Sequence, residues 1–363
     1  SSAASDVYKR QIVTCLTVVF HQESTSSSVS VPSGTAEIQK PELTEALIEI
    51  LDNVDLYGGH LASLISTLLS DVMNSDPHVV RYVHESGLAR SFLKMLDFGP
   101  SVEPIPPPVP ELIMSIPTVL AALALTEDGA KKIKGNNPFP GLLKIFYHPK
   151  YAMPRSRCLL NEMTSIVGTG LDEIMRHVPA LSKLICKAIS EAMMEVVSFG
   201  EVVSKKELDL PPAVEGATPL DVDNDRSCLI QYTLNFGQIL EQILHNEEHC
   251  EPFVESGGLD AILKMYPHLM PTGDRFLAHV SCLSCPSLST ISHSTTEEAL
   301  TLAFKCISLR YDPLKLIRKT VDAMKQNIDL LKVAQLEMRS AFPSDDYNTE
   351  DDFDAIYVLD GLP

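Results

Sequence analysis

This sequence predicts an all-α chain, an armadillo- or HEAT-like α-solenoid with inserted loops, on three observations. Apolar residues recur at helical spacing almost throughout. No alternating strand pattern runs longer than four residues. One short sentence, "YVHESGLARSFLKML" at 82–96, is written again as "FVESGGLDAILKMY" at 253–266. The 363 residues exceed what one hydrophobic core usually organises, so the chain must either divide or grow by stacking. The repetition favours stacking, because one short helical unit cannot bury its own apolar face and leans on its neighbours.

Taken in order, the opening "SSAASDVYKRQ" (1–11) reads as translated library adapter and carries no expectation of fold. Residues 12–39 hold an apolar run, Ile12 to Phe20, and the Ser-rich linker "ESTSSSVSVPSG" at 23–34. That run is too short to span a bilayer and lacks a cleavage-site pattern. The solenoid is assigned to 40–341. Behind Pro41, which suits a first helical turn, Leu43, Ala46, Leu47, Ile50, Leu51 and Val54 keep helical spacing. Behind Pro179, Leu181, Leu184, Ile185, Ala188, Ile189, Ala192 and Val196 do the same. Asp312 and Pro313 open a long helix whose stripe, Leu314, Ile317, Val321, Met324, Ile328 and Leu331, is expected to pack on the solenoid rather than in a coiled coil. Two segments rich in helix breakers, "GPSVEPIPPPVPE" (99–111) and "SKKELDLPPAVEGATPLDVDNDRS" (204–227), are expected as inserted surface loops. Residues 342–363 form an acidic tail.

The repeated sentence aligns without gaps. Asp76, Thr126 and Asn246 are each suited to an N-cap, and acids follow the last two, where the helix dipole favours them. Seven residues after each cap stands an apolar residue: Val83, Ile133 and Phe253. Gly87, Gly135 and Gly257 follow where a left-handed helix end is expected. Eighteen residues after each cap comes a lysine: Lys94 in "FLKM", Lys144 in "LLKI", Lys264 in "ILKM". A weaker copy, "LSKL" at Lys183, lacks the upstream cap. The steps 94 to 144, 144 to 183 and 183 to 264 are 50, 39 and 81. With the Pro-rich insertion in the first and one unit skipped in the last, they fit a period of roughly 40, that of armadillo or HEAT units.

The formal charge of −19 argues against direct nucleic-acid binding and against an anionic membrane surface, both of which need a positive footprint. Partners with basic patches fit better. The acidic tail carries Asp345, Asp346, Glu350, Asp351, Asp352, Asp354 and Asp360 with no Lys or Arg, and reads by default as a solvated segment. The eight cysteines lie scattered among apolar helix positions, as in a reduced, intracellular protein.

Candidates for chemistry are few. His279, Cys282, Cys285 and His293 offer thiols and imidazoles of the kind zinc takes, but one CxxC without a distant partner pair also reads as small thiols on a packed helix face. "HNEEHC" at 245–250 spaces His245 and His249 like a metalloprotease motif, yet Asn246 stands where the general base belongs and breaks the helix. "GTG" at 168–170 is not followed by the glycine a phosphate-binding loop requires, and no nucleophile elbow or Walker loop occurs. Met193 and Met194 read as core filler. No catalytic, cofactor or metal residue is assigned and no cofactor is expected.

The stretches "YGGHLASLISTLLSDVMNSDPHVVRYVHESGL", "LTEDGAKKIKGNNPFPGLLKIF", "FVESGGLDAILKMYPHL" and "TEEALTLAFKCISLRYDPLKLIRKTVDAMKQNI" together resemble the N-terminal helical-repeat region of the giant HECT-type E3 ubiquitin-protein ligases, the Mule family with HECT, UBA and WWE domains. The resemblance spans roughly 40 to 345. It implies a fragment of a large cytoplasmic and nuclear ligase, a non-catalytic scaffold that recruits protein substrates or adaptors. The ubiquitin machinery is then reached through a C-terminal lobe that this chain does not contain, and none of the eight cysteines inherits the thioester role. The rival class is an armadillo-type interaction adaptor unrelated to ubiquitin. Nuclear-import receptors of that kind grip peptides with Trp and Asn arrays, and this sequence has no Trp. A free-standing metal-dependent hydrolase would rest on the His and Cys letters alone.

Overall fold

The computed structural model describes residues 11, 38–97, 106–151, 157–208, 220–269 and 300–325, apart from the side chains of 157–161, 207–208, 220–224 and 269. The chain divides into two compact units, Ser1–Leu316 and Ile317–Pro363. Of the second, only 317–325 are described, and they are helical. Every regular element among the described residues is a helix, and the first unit has the solenoid-like, all-α architecture that the sequence predicts.

In the first unit the helices form two ranks. α1 (Pro41–Asp52) starts on Pro41 in its first turn, and its Leu47, Ile50 and Leu51 are buried as the spacing requires. A single turn, α2 (Val54–Tyr57), leads to α3 (Gly59–Ser75). Then come the short α4 (Val79–Glu85), α5 (Leu88–Lys94) and the longer α6 (Pro110–Leu123). The pattern repeats as α7 (Glu127–Asn136), α8 (Phe139–Lys144) and α9 (Arg157–His177). It continues as α10 (Pro179–Leu208) and α11 (Leu220–Leu244), then α12 (Cys250–Glu255) and α13 (Gly258–Met265), with a further helical stretch over 300–308. The long helices α3, α6, α9 and α11 pack side by side in that order; in the other rank α1 packs on α5, α8 on α10 and α10 on α13. Each complete unit is thus a short first helix, a second helix in one rank and a third in the other.

The repeated sentence marks equivalent places. Val83, Ile133 and Phe253 are each 0% exposed, one in every short first helix. Thr126 caps α7, its Oγ1 accepting from the Gly129 amide at 3.1 Å. Asn246 accepts from the Glu248 amide at 3.2 Å and caps the 3-10 turn Glu247–His249 ahead of α12. Asp76 differs: it accepts from the His78 amide at 3.0 Å in a turn, and α4 begins only at Val79. Gly87 and Gly257 sit at φ of +88° and +89°, the left-handed joints between first and second helices that glycine adopts without strain. At the middle copy the joint is Asn137, φ +44°, not Gly135, because α7 runs through Gly135 to Asn136. Asparagine tolerates that conformation better than most residues with a Cβ.

Other expectations are corrected. The 81-residue step from Lys183 to Lys264 hides no skipped unit, since α10 (30 residues) and α11 (25 residues) fill it. "LSKL" lacks an upstream cap because its unit has no first helix: α9 ends at His177 and α10 starts at Pro179. The segment 204–227 is helical at both ends, and its breakers Pro211, Pro212, Gly216 and Pro219 fall in 209–219, outside the described residues. Lys206 Nζ at the end of α10 meets Asp225 Oδ2 in the first turns of α11 at 2.7 Å. Of the Pro-rich 99–111, residues 99–105 lie outside the described part, but Pro106 is buried and its carbonyl accepts from the Tyr151 hydroxyl. Pro107 and Val109 press on Gly59, where a Cβ would come within 2.9 and 2.6 Å of their side chains. That end of the insertion is therefore packed rather than a free loop. Near the unit's end Leu314 is 70% exposed while Leu316 is 7% exposed, so the inward side of this turn is not the stripe that the sequence suggests. Ile317, Val321 and Met324 are also exposed, and Ile328 and Leu331 lie outside the described residues.

Polar contacts set the register of the ranks. Thr164 Oγ1 of α9 donates to Gln238 Oε1 of α11 at 2.6 Å. The buried Asn235 donates from Nδ2 to the Phe146 carbonyl at 2.8 Å and accepts from Gln231 Nε2 at 2.9 Å. Unpaired, such groups would carry their full desolvation cost, so only this register satisfies them.

Candidate functional site

α10 buries Leu181, Ile185, Ala188, Ile189, Ala192, Met193 and Val196, which leaves Glu191, Met194, Glu195 and Ser198 along its other side. α13 follows the left-handed Gly257 and carries Asp260 in its first turn. Between them lies a shallow depression of about 400 Å³ lined by Ser190, Glu191, Met194, Glu195, Ser198, Ser256, Gly257 and Asp260. Three acidic residues, Glu191, Glu195 and Asp260, line it together with the half-buried Met194. Gly257 adds openness, since a Cβ there would meet nothing within 4 Å.

The rim is partly held in place. Glu195 Oε2 accepts the Tyr147 hydroxyl at 2.9 Å, and burial first, then Glu195, pushes that phenol above its ordinary range. Glu191 lies 3.6 Å from Lys187 in an exposed pair one turn along the helix, an arrangement that holds weakly in water. Lys183 Nζ reaches Glu255 Oε2 at 3.2 Å and links α10 to α12. Three acidic side chains beside Met194 suit the aliphatic stem and charged head of a lysine or arginine.

The residues singled out by sequence fare differently. Met193 is core, as expected, but Met194 lines the depression. His245 is exposed, whereas His249 is buried with Nε2 at 3.0 Å from Asp172 Oδ1 of α9 and 3.3 Å from Asn246 Nδ2. The two histidines do not face one ligand, and α11 ends at Leu244 ahead of both. Arg176 holds the other oxygen of Asp172 at 2.9 Å, which makes the cluster a tie between α9 and the turn before α12. The glycines of "GTG" are contact points within α9: a Cβ on Gly168 would stand 2.9 Å from Gln242 Cβ, and one on Gly170 2.4 Å from Pro117 Cβ. His279, Cys282, Cys285, His293 and the acidic tail lie outside the described residues, among which no group of three His, Cys, Asp or Glu could hold a metal ion. Among the described residues no helix is long and apolar enough to cross a membrane. Sequence reasoning did not single out Glu191, Glu195 or Asp260. The first two are legible as the polar side of α10, but nothing in the sequence joins them to Asp260.

Residues 34–211 match the family described as Domain of Unknown Function (DUF913). That match ends just past α10, although α9 packs on α11 and α10 on α13 beyond it. A stretch of 254 residues is 29% identical to the E3 ubiquitin-protein ligase UPL1 of Arabidopsis thaliana, covering 63% of this chain and 7% of that protein. The E3 ubiquitin-protein ligase ptr1 of Schizosaccharomyces pombe is 24% identical over 232 residues, 62% of this chain and 6% of its own length. The E3 ubiquitin-protein ligase HUWE1 of Mus musculus is 28% identical over 171 residues, 46% and 4% of the two chains. The chain spans less than a tenth of the length of these curated relatives. Residues 34–211 thus carry a DUF913 domain, and the chain is similar over its matched stretch to these E3 ubiquitin-protein ligases.

Proposed function

We propose that this chain is a non-catalytic scaffold of a HECT-type E3 ubiquitin-protein ligase acting in cytoplasm and nucleus, and that it recruits protein substrates or adaptors through their basic patches. The observation that carries this reading is the depression between α10 and α13, where Glu191, Glu195 and Asp260 surround Met194 on the rank of second helices. A net charge of −19 extends the attraction beyond the contact itself and speeds encounter with basic partners. Ubiquitin transfer then belongs to a catalytic lobe elsewhere in the longer protein, and this segment supplies proximity between that lobe and its substrate.

A labelled peptide alternating arginine and leucine tests the reading directly. Its affinity for the purified chain is expected to fall with added salt. The double substitution Glu191→Gln with Glu195→Gln, which keeps side-chain length and an acceptor for Tyr147, should weaken it about tenfold, equivalent to about 1.4 kcal/mol. Equal binding of an acidic peptide of the same length, or an unchanged affinity after the substitutions, would overturn the proposal.

A further inference from the structure

The described residues of the second unit, 317–325, form about two and a half turns of helix. Ile317, Val321 and Met324 are 57%, 40% and 56% exposed. At about 100° per residue they fall within an arc of about 60°, so they make one apolar stripe. Arg318 and Lys325 lie beside Val321 on one flank of that stripe, and both are exposed. The stretch holds three cations, Arg318, Lys319 and Lys325, against the single acid Asp322. In a chain of net charge −19 this is a locally basic, apolar face.

Apolar residues at this spacing ordinarily mark the buried face of a helix, yet here all three remain exposed. A matching cover brings apolar groups and negative charge together. One segment of the same chain has both. Residues 345–360 carry seven acids and no Lys or Arg, and among them stand Phe353, Ile356, Tyr357 and Leu359. Glu350, Asp351 and Asp352 immediately precede Phe353, which sets charge beside apolar surface as Arg318 and Lys325 do on the helix. Reach allows the contact: the 19 residues 326–344 separate Lys325 from Asp345, a coil of about 24 Å against about 14 Å for the helix itself. A tether of that length holds the segment at an effective concentration on the order of millimolar, an advantage that a second copy or a separate acidic protein lacks.

We propose that the acidic segment 345–360 docks on the 317–325 helix of its own chain, Phe353 and Ile356 covering Ile317, Val321 and Met324 while Glu350, Asp351 and Asp352 meet Arg318 and Lys325. Exposed ion pairs alone hold weakly in water, so the apolar contact supplies most of the attraction. The charges set its orientation and exclude other parts of a chain that is mostly acidic. A segment that stayed solvated would show no preferred neighbour.

Photo-crosslinking in the full chain tests this, with Phe353→p-benzoylphenylalanine as the probe. After irradiation and trypsin, the dominant adduct should join peptide 340–363 to peptide 320–325, which holds Val321 and Met324. It should form in the monomer and keep its yield on dilution, as a contact within one chain does. Arg318→Glu with Lys325→Glu, both on exposed positions, should lower the yield at Met324 about tenfold, and adding Glu350→Lys, Asp351→Lys and Asp352→Lys should restore it. That rescue separates charge matching from any general effect of the substitutions on folding. Adducts confined to covalent dimers would give the face to a second copy and overturn the proposal. So would adducts spread evenly over the chain, no adduct at all, or a yield that the charge substitutions leave unchanged.

Discussion

His84 and His268 are side chains whose protonation the fold resists. Burial is the leading cause at both, reinforced at His84 by Lys132 and at His268 by Arg226, and opposed at His268 by Glu201. A histidine lowered from 6.5 stays neutral in the folded chain at pH values where the unfolded chain already binds a proton. The unfolded state then holds more protons, so stability rises with pH across that window. The contribution is complete above 6.5 and is lost as pH falls toward the lower folded values. Urea unfolding at neutral and mildly acid pH should show this loss, and His84→Gln should flatten part of it. His249 does a different job, since its buried ring bonds Asp172 and so joins α9 to the turn before α12.

At the scale of elements, the glycines of α7 and α9 separate propensity from packing. Gly135 lies within α7 with open space around it, so Gly135→Ala should raise stability by roughly 0.5 kcal/mol as helix propensity improves. Gly170 gains the same from alanine, but its Cβ would stand 2.4 Å from Pro117 Cβ on α6, a stiff ring inside a buried helix. Forcing the two helices apart costs about 1–3 kcal/mol, which exceeds the propensity gain of roughly 0.5 kcal/mol. Gly170→Ala should therefore lower the urea midpoint while Gly135→Ala raises it. Opposite signs for the same substitution are the diagnostic result; equal signs would mean that α6 and α9 separate without cost.

At the scale of the molecule, the packing does not stop where the DUF913 match stops. α9 lies against α11, and α10 against both α11 and α13, so a chain ending at residue 211 strips both long helices of their C-terminal neighbours. It would also lose Asn235, which satisfies the buried Phe146 carbonyl. Such a truncation should unfold at markedly lower urea than a chain running to 316 and with a broader transition, as circular dichroism would read it. The helices, their stacking and the interior places of Val83, Ile133 and Phe253 were legible in the sequence, because apolar spacing and capping residues act over a few neighbouring positions. The resemblance to ubiquitin ligases was legible for the same reason, being written in those short stretches. What the sequence could not decide is which distant surfaces meet: Asp260 beside Glu191 and Glu195, Asp172 against His249, and the two long helices that fill the apparent skipped unit. Those pairings depend on how the ranks settle against one another, and that is set by the summed fit of many side chains rather than by any local pattern.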